Sequence, residues 1–448
     1  MSASATSSDS AAPPDDSGPA AGGAGGMPAS SPSSSAGGGS GAPGAMGPAV
    51  YDYATSVENA SADCEVPELA EPDSLPTITK LPNPFIKLDG TTMTKKSEWR
   101  CRRQEIYEQA VKYVYGDRPT PDLVSGTVAK DKITVHVEAM GKSIDFSADV
   151  VLPTTGQAPY PAIINVGEKG GFGGIALGES RITDQGVAVI YYNHYDLGQE
   201  GTAEQSRGKP NPGKFYDIYG GDYSAGLLMA WSWGASRLID VIQQSDGAII
   251  DIKSLGVTGC SRNGKGAFAI GVFDERIALT IPQETSTAGV PVYRMVDILN
   301  TERTDHNYYG LNWFSDNFEP FVYEDGTSKV VKLPIDTHEL VAMVAPRGLL
   351  VLDNPHQTQM SAPAGNLAAT AGAEVYKALG FGDRISYHSD VSDTAHCSYK
   401  NEYTDLLARN ISRFLKHEDA KTGDFIVGQG GDGKIADWKD WETPTLAE

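Results

Sequence analysis

The sequence predicts an α/β fold, a three-layer sandwich in which helices cover both faces of a mostly parallel central sheet. Two observations support this prediction. Short apolar runs recur along the chain from residue 160 onward, and the stretches between them are long enough for helices. This alternation is typical of parallel strands that are buried on both faces and joined by helices. Hydrophobic residues form 40% of the 448 residues, which is enough for one large core.

The N-terminal part of the chain differs from the rest in composition. Of the first 50 residues, 42 are Ser, Ala, Gly or Pro, and ten acidic residues precede the first basic one, Lys80. Such a segment buries too little apolar surface to offset the entropy of ordering. We therefore predict a disordered leader or linker over residues 1–74 and a single folded domain over residues 75–448.

The charge of the chain bears on its partners and its location. A formal net charge of −22 argues against nucleic acid, because phosphate binding needs clusters of Lys and Arg. No run of 18 apolar residues predicts a membrane span, and the N-terminus lacks the pattern of a signal peptide. Two explanations remain, a cytosolic protein with an unusual tail or a secreted protein whose signal has been removed. The leader favours the second, and we expect a secreted monomer.

The chain has four cysteines, at positions 64, 101, 260 and 397. Four cysteines allow three pairings, and their spacing does not choose between them. None forms a CxxC or Cys/His zinc pattern, so no metal site is predicted. Disulfides are expected if the protein is secreted.

The elements follow in chain order. Helical spacing of apolar residues predicts a helix over residues 98–115, and alternation predicts antiparallel strands over 132–138 and 143–152. Further strands are predicted at 160–166, 187–192, 254–258, 277–281, 348–352 and 385–388. Further helices are predicted at 225–242, 265–272, 365–379 and 403–416.

One strand end carries a pattern with chemical meaning. The strand at 255–258 runs into a turn of small residues and then a helix, with Ser261 at the turn between Gly259 and Gly264. A sharp strand-to-helix turn of this kind exposes a nucleophilic hydroxyl and leaves the next backbone N–H free for an oxyanion. The second glycine lies one position later than in the pattern G-x-S-x-G. A phosphate loop is excluded because Gly266 stands where Ser or Thr is required.

A serine nucleophile needs a base, and His396 is the leading candidate. It follows a polar loop after the strand at 385–388 and precedes the last helix, where α/β-hydrolases place their histidine. His356 and His388 are weaker alternatives. For the acid, Glu284 and Asp353 both close predicted strands, and the choice between them stays open at this point.

The segments around these candidates resemble the glucuronoyl esterases, carbohydrate esterase family 15. The similarity extends over about residues 81–414. The stretches that carry it are VTGCSRNGKGA, RIALTIPQE, WRCRR, YPAII, GKFYD, AWSWG, LPID, APR and AHC. The resemblance implies an α/β-hydrolase fold and a serine esterase.

The resemblance also implies roles for single residues. Ser261 matches the nucleophile, Arg262 matches an arginine whose side chain helps to hold the oxyanion, and Lys265 matches a lysine that contacts the uronic acid. His396 matches the base. Glu284 matches the acid of many members, while some members place it at the later strand end, where Asp353 stands.

The family's disulfides imply two pairs, Cys260–Cys397 and Cys64–Cys101. On the substrate side the chain departs from fungal members. It is shorter between residues 294 and 313, so that Glu302, His306 and Asn307 are only the nearest candidates for sugar contacts. Gln359 stands where a sugar-stacking tryptophan is expected, and an altered substrate preference is therefore predicted.

The function implied is hydrolysis of the ester between 4-O-methylglucuronic acid of glucuronoxylan and lignin alcohols, through an acyl-enzyme and without cofactor or metal. Two alternatives remain. The chain could remove acetyl or feruloyl groups from carbohydrate, or it could be a non-catalytic member that binds glucuronoxylan.

Overall fold

A ten-stranded sheet crosses the part of the chain that the computed structural model describes, which is residues 64–171, 175–200 and 212–448. The strand order is β1-β2-β3-β5-β4-β6-β7-β8-β9-β10. The three N-terminal strands are antiparallel, as is the β3–β5 pair, and all pairs from β5 through β4 to β10 are parallel. The strands are β1 Leu123–Val128, β2 Lys132–Ala139, β3 Lys142–Val151, β4 Tyr160–Val166, β5 Ala188–Tyr192, β6 Ile250–Cys260, β7 Ile277–Gln283, β8 Gly348–Leu352, β9 Ile385–His388 and β10 Phe425–Ile426.

Helices cover both faces of this sheet. They are α1 Trp99–Ala110, α2 Glu179–Thr183, α3 Lys214–Tyr219, α4 Leu227–Gln244, α5 Arg262–Phe273, α6 Tyr293–Leu299, α7 Thr337–Met343, α8 Ala362–Leu379 and α9 Thr404–Phe414. Neighbouring strand residues point to opposite faces: Ile164 and Val351 join the core beneath α4, α5 and α8, while Ile163 and Leu352 join the core beneath α2 and α9. The predicted three-layer α/β sandwich is confirmed.

Some elements differ from the prediction. The predicted helix over 98–115 is regular only to Ala110 and continues as a π-helical turn, Val111–Tyr115. Strand β1 was not predicted, because it lies at the sheet edge, half exposed, and shows no apolar alternation. Strand β10 was also missed, since it has only two residues.

The predicted start of the folded domain needs a correction. Residues 64–74, which we assigned to the leader, lie against the domain. Cys64 is bonded to Cys101 of α1. The Tyr113 hydroxyl donates to the carbonyl oxygen of Ala70 at 2.6 Å, and Leu69 packs on the core. These contacts offset the cost of ordering that the composition alone suggests. The rest of the predicted leader, residues 1–63, lies outside the described residues.

Within the described ranges, none of the helices has both the length and the hydropathy that crossing a bilayer requires.

Candidate active site

The nucleophile candidate lies at a strained turn between β6 and α5. Ser261 has φ 59° and ψ −128°, a conformation that non-glycine residues rarely adopt. Its backbone N–H donates to the carbonyl oxygen of Gln283 at 2.9 Å. The turn requires glycine at its flanks: a Cβ on Gly259 would lie 2.3 Å from the carbonyl oxygen of Asn263, and one on Gly264 would lie 2.7 Å from that of Gln283. The small residues therefore let the helix begin directly after the serine.

Helix α5 begins at Arg262, the residue after Ser261. Backbone N–H groups in the first turn of a helix have no intrahelical acceptor, and the helix dipole makes this end partly positive. An oxyanion formed at Ser261 would meet these N–H groups.

His396 and Glu284 form a hydrogen-bonded pair next to this turn. Nδ1 of His396 donates to Oε2 of Glu284 at 2.6 Å, and the backbone N–H of Cys397 donates to the same oxygen at 3.3 Å. The Glu284 side chain is 2% exposed, whereas that of His396 is 31% exposed. With Nδ1 committed to the carboxylate, Nε2 is the nitrogen left to accept a proton.

A disulfide holds the two halves of the site together. Cys260, just before Ser261, is bonded to Cys397, just after His396. The distance from Nε2 of His396 to Sγ of Cys397 is 3.5 Å, and a ring nitrogen lies within 4.8 Å of both sulfurs. Because the sulfurs are bonded to each other, they are not thiolate ligands for a metal. The other predicted disulfide, Cys64–Cys101, is also present.

Asp353 occupies a different environment from Glu284. It follows β8 and is buried beside the hydroxyl of Tyr387, which donates to the carbonyl oxygen of Ala362 at 3.1 Å. Burial raises the pKa of Asp353 to about 8, and the charge of Glu284 adds to this rise. The weaker candidates for the base each bond a carbonyl oxygen through Nε2: His356 to Val391 at 3.0 Å and His388 to Asp390 at 2.9 Å. The geometry thus pairs His396 with Glu284.

Lys265 lies one turn into α5 and is buried. Its Nζ is 2.9 Å from Oε2 of Glu302, 3.2 Å from Oδ1 of Asn307 and 3.6 Å from the ring centre of Trp313. Burial lowers the pKa of Lys265 to about 8, against the opposing effect of the Glu302 charge.

A cleft of about 630 Å³ adjoins this lysine through Glu302. His306 lies in its wall, with Nε2 4.0 Å from Oε1 of Glu302. Gln359 lies in the same cleft and donates to Oε1 of Gln357 at 2.8 Å. The structure therefore brings the predicted contacts Glu302, His306 and Gln359 to one surface. Its lining residues are Thr301, Glu302, Arg303, Asp305, His306, Tyr309, Leu311 and Gln359.

Three residues of the site region were not assigned a role from the sequence. Glu200 contacts Arg262 and Trp313, and Trp313 forms one side of the Lys265 environment. Lys400 is fully buried and donates to the carbonyl oxygen of Ala395, the residue before His396. Glu200 and Trp313 lie far along the chain from their partners, so no local pattern identifies them. Lys400 lies only five positions after Ala395, but a lone lysine in a polar loop is more typical of an exposed side chain.

Comparison with known proteins agrees with this geometry. Residues 135–380 match the family model described as glucuronyl esterase, fungi. Two 4-O-methyl-glucuronoyl methylesterases are each 36% identical. The enzyme of Hypocrea jecorina matches over 379 residues, which are 82% of this chain and 76% of the relative. The enzyme of Thermothelomyces thermophilus matches over 388 residues, which are 84% of this chain and 91% of the relative.

A solved structure is similar as well. It is a serine-to-alanine mutant of a glucuronoyl esterase from Sporotrichum thermophile in complex with methyl 4-O-methyl-β-D-glucopyranuronate. The TM-score is 0.76 at 34% sequence identity, and the match covers 86% of this chain and 100% of that one. The chain therefore belongs to the glucuronoyl esterase family.

Proposed function

We propose that this chain is a serine esterase that hydrolyses esters of glucuronic acid and 4-O-methylglucuronic acid through an acyl-enzyme. The observation that carries the proposal is the Glu284–His396 hydrogen bond, held beside Ser261 by the Cys260–Cys397 disulfide. Membership of the glucuronoyl esterase family, and the ester found in the Sporotrichum thermophile structure, support the choice of substrate.

In the first step His396 Nε2 removes the proton of the Ser261 hydroxyl as its oxygen attacks the C6 carbonyl of the uronate. The charge that develops on the carbonyl oxygen is stabilised by N–H groups at the start of α5 and by the Arg262 side chain. Glu284 keeps Nδ1 protonated and stabilises the imidazolium. The C6–O bond then breaks, and His396 passes its proton to the departing alcohol.

In the second step water repeats the sequence. His396 takes a proton from water as the water oxygen attacks the acyl carbon, and the proton returns to Ser261 as the ester bond to the enzyme breaks. The products are the free uronic acid and the regenerated serine. Both steps are carried out by side chains, by backbone N–H groups of α5 and by water.

The residues around Lys265, one helical turn after Ser261, favour a sugar acid over the alternative acyl groups. Lys265, Glu302 and Asn307 place a cation, a carboxylate and an amide side by side. These groups suit the hydroxyl groups of a sugar ring. An acetyl group would need none of them, and a feruloyl ring would be better served by an apolar slot than by a cleft rich in charged residues.

The finer parts of the proposal concern the natural setting. We infer that the acid is carried on glucuronoxylan, that the alcohol comes from lignin and that the enzyme acts as a secreted monomer. Two disulfides are consistent with an oxidising environment.

The test compares the hydrolysis of benzyl glucuronate, acetylated xylan and an aryl ester by the wild type and by Ser261→Ala. We expect the wild type to prefer benzyl glucuronate and Ser261→Ala to lose at least about 1,000-fold in kcat. A preference for acetylated xylan or the aryl ester would favour the other esterase functions. If neither protein hydrolyses any ester and both bind xylan oligosaccharides equally, the chain is a binding protein.

A further inference from the structure

One carboxylate connects the two cationic side chains of the candidate site. Glu200 lies in the loop that follows β5, and its side chain is only 7% exposed. It accepts hydrogen bonds from the guanidinium of Arg262, from Nε1 of Trp313 at 2.9 Å and from the Tyr195 hydroxyl at 3.2 Å. Its Oε2 binds Arg262 and Tyr195, while its Oε1 binds Trp313. Both oxygens are therefore occupied.

Two of these contacts, with Arg262 and with Trp313, involve groups at or next to side chains that the proposed reaction uses. Arg262 directly follows Ser261 and is the proposed side-chain donor to the oxyanion. Trp313 presents its ring face to Lys265, whose Nζ lies 3.6 Å from the ring centre. Glu200 thus contacts the arginine directly and reaches the lysine through the indole ring.

The arginine needs such a restraint. Its side chain is 39% exposed, and a long exposed arginine has many rotamers of similar energy. A charge-assisted bond to a carboxylate that is itself buried and held by two other donors selects one of them. An oxyanion donor is effective only if it is already in place when charge develops.

We propose that Glu200 is a positioning residue that orients the Arg262 guanidinium for the oxyanion and holds Trp313 against Lys265. This inference rests on the proposed esterase function. It assigns a role in catalysis to a residue that lies 61 positions before the nucleophile and outside the motifs that surround it.

Glu200→Gln tests the proposal. The amide keeps the size of the side chain and an acceptor for the indole N–H, but its NH₂ group cannot accept from Arg262. We expect kcat for benzyl glucuronate to fall on the order of 10-fold with a smaller change in KM, because a displaced donor weakens the transition state more than ground-state binding. Asp196→Asn is the matched control: it removes a neighbouring negative charge that pairs with Lys214 rather than Arg262, and it should keep wild-type kcat.

A double-mutant cycle with Arg262→Ala separates positioning from a general effect on stability. If Glu200 acts through Arg262, Glu200→Gln should cause almost no further loss of kcat in the Arg262→Ala background. Equal losses in both backgrounds, or wild-type kcat in Glu200→Gln, would overturn the proposal. If Glu200→Gln fails to fold, Glu200→Asp, which shortens the side chain but keeps its charge, is measured in the same cycle. A wild type that hydrolyses no glucuronate ester would instead refute the proposed function.

Discussion

At the scale of residues, two carboxyl groups at neighbouring strand ends have opposite environments. Glu284 accepts from His396 and from a backbone N–H, whereas Asp353 is buried beside the Tyr387 hydroxyl. The raised pKa of Asp353, about 8, means that this group is mostly protonated at neutral pH. Only Glu284 is therefore arranged to stabilise an imidazolium.

Single substitutions of these two acids should separate their roles. We expect Glu284→Gln to lower kcat about 1,000-fold or more, because a neutral amide cannot stabilise the imidazolium and its NH₂ group, facing Nδ1, selects the wrong tautomer of His396. Asp353→Asn should keep kcat within a few-fold at pH 7. The measurement is steady-state kinetics with benzyl glucuronate, and an unaffected Glu284→Gln would show that another group is the acid.

Asp353→Asn should also change the pH dependence of stability. The pKa of Asp353 is about 8 in the folded protein against an ordinary value of 3.8, so the folded state holds a proton that the unfolded state releases. Stability should therefore decrease as pH rises from about 4 to 8. The asparagine variant lacks this term. The difference in melting temperature between the variant and the wild type should therefore shift in favour of the variant as pH rises from about 4 to 8. Parallel melting-temperature profiles of the two proteins would show that Asp353 does not have a raised pKa in the folded state.

Lys265 should make substrate binding sensitive to alkaline pH. Its pKa of about 8 leaves the ammonium charged below that pH and neutral above it. If the cation contacts the uronate ring, KM should rise as pH increases through 8. In Lys265→Met the same series should show a high KM without this rise. The decisive observation is whether the two KM profiles differ in shape between pH 7 and 9.

At the scale of elements, the loop between β9 and α9 carries the base, and a lysine of the same loop stabilises it. The Lys400 ammonium binds the carbonyl oxygen of Ala395 and, at 2.6 Å, the Ser398 hydroxyl, and it lies 3.5 Å from Oδ2 of Asp393. A loop with little regular structure is thus held by one buried cation on both sides of His396.

Lys400→Met should loosen this loop without touching the reacting atoms. We expect a loss of about 1–3 kcal/mol in unfolding free energy from the unsatisfied acceptors and a fall in kcat on the order of 10-fold. Denaturant unfolding and kinetics on the same sample measure both. Lys416→Met, which removes a partly exposed cation paired with Glu418, is the control. Unchanged kcat in Lys400→Met would show that Lys400 does not help to position His396.

The elements also show how far the sequence could lead. Strands β4 to β9 were predictable because burial on both faces requires continuous apolar runs, and His396 could be placed by its order after β9. Strand β1 was not, since its side chains stay half exposed. The pairing of His396 with Glu284 depends on side-chain directions at two adjacent strand ends. The contact of Glu200 with Arg262 joins residues 62 positions apart and leaves no local pattern.

At the scale of the whole molecule, the two disulfides have different tasks. Cys64–Cys101 closes a loop of sequence separation 37 and anchors the first described residues to α1. It lies far along the chain from the catalytic candidates. Cys260–Cys397 spans 137 residues and joins the nucleophile turn to the base loop.

Replacing each pair by serine should reveal this division. Cys64→Ser with Cys101→Ser should lower the unfolding free energy by about 2–4 kcal/mol and leave kcat unchanged. Cys260→Ser with Cys397→Ser should lower both quantities, because the restraint between Ser261 and His396 is lost. Calorimetry measures the unfolding free energy of the two double variants and steady-state kinetics measures their kcat. Equal kcat values in the two double variants would show that the Cys260–Cys397 bond has no special role in catalysis.

The Cys260–Cys397 bond has a consequence for how the enzyme comes to be active. The serine turn and the histidine loop are made at different times during synthesis, and the bond between them forms only after both have reached the same sheet edge in an oxidising medium. High activity then indicates that the Cys260–Cys397 disulfide has formed. A preparation made in a reducing cytosol should contain folded but poorly active molecules, and a mild oxidant should recover their turnover.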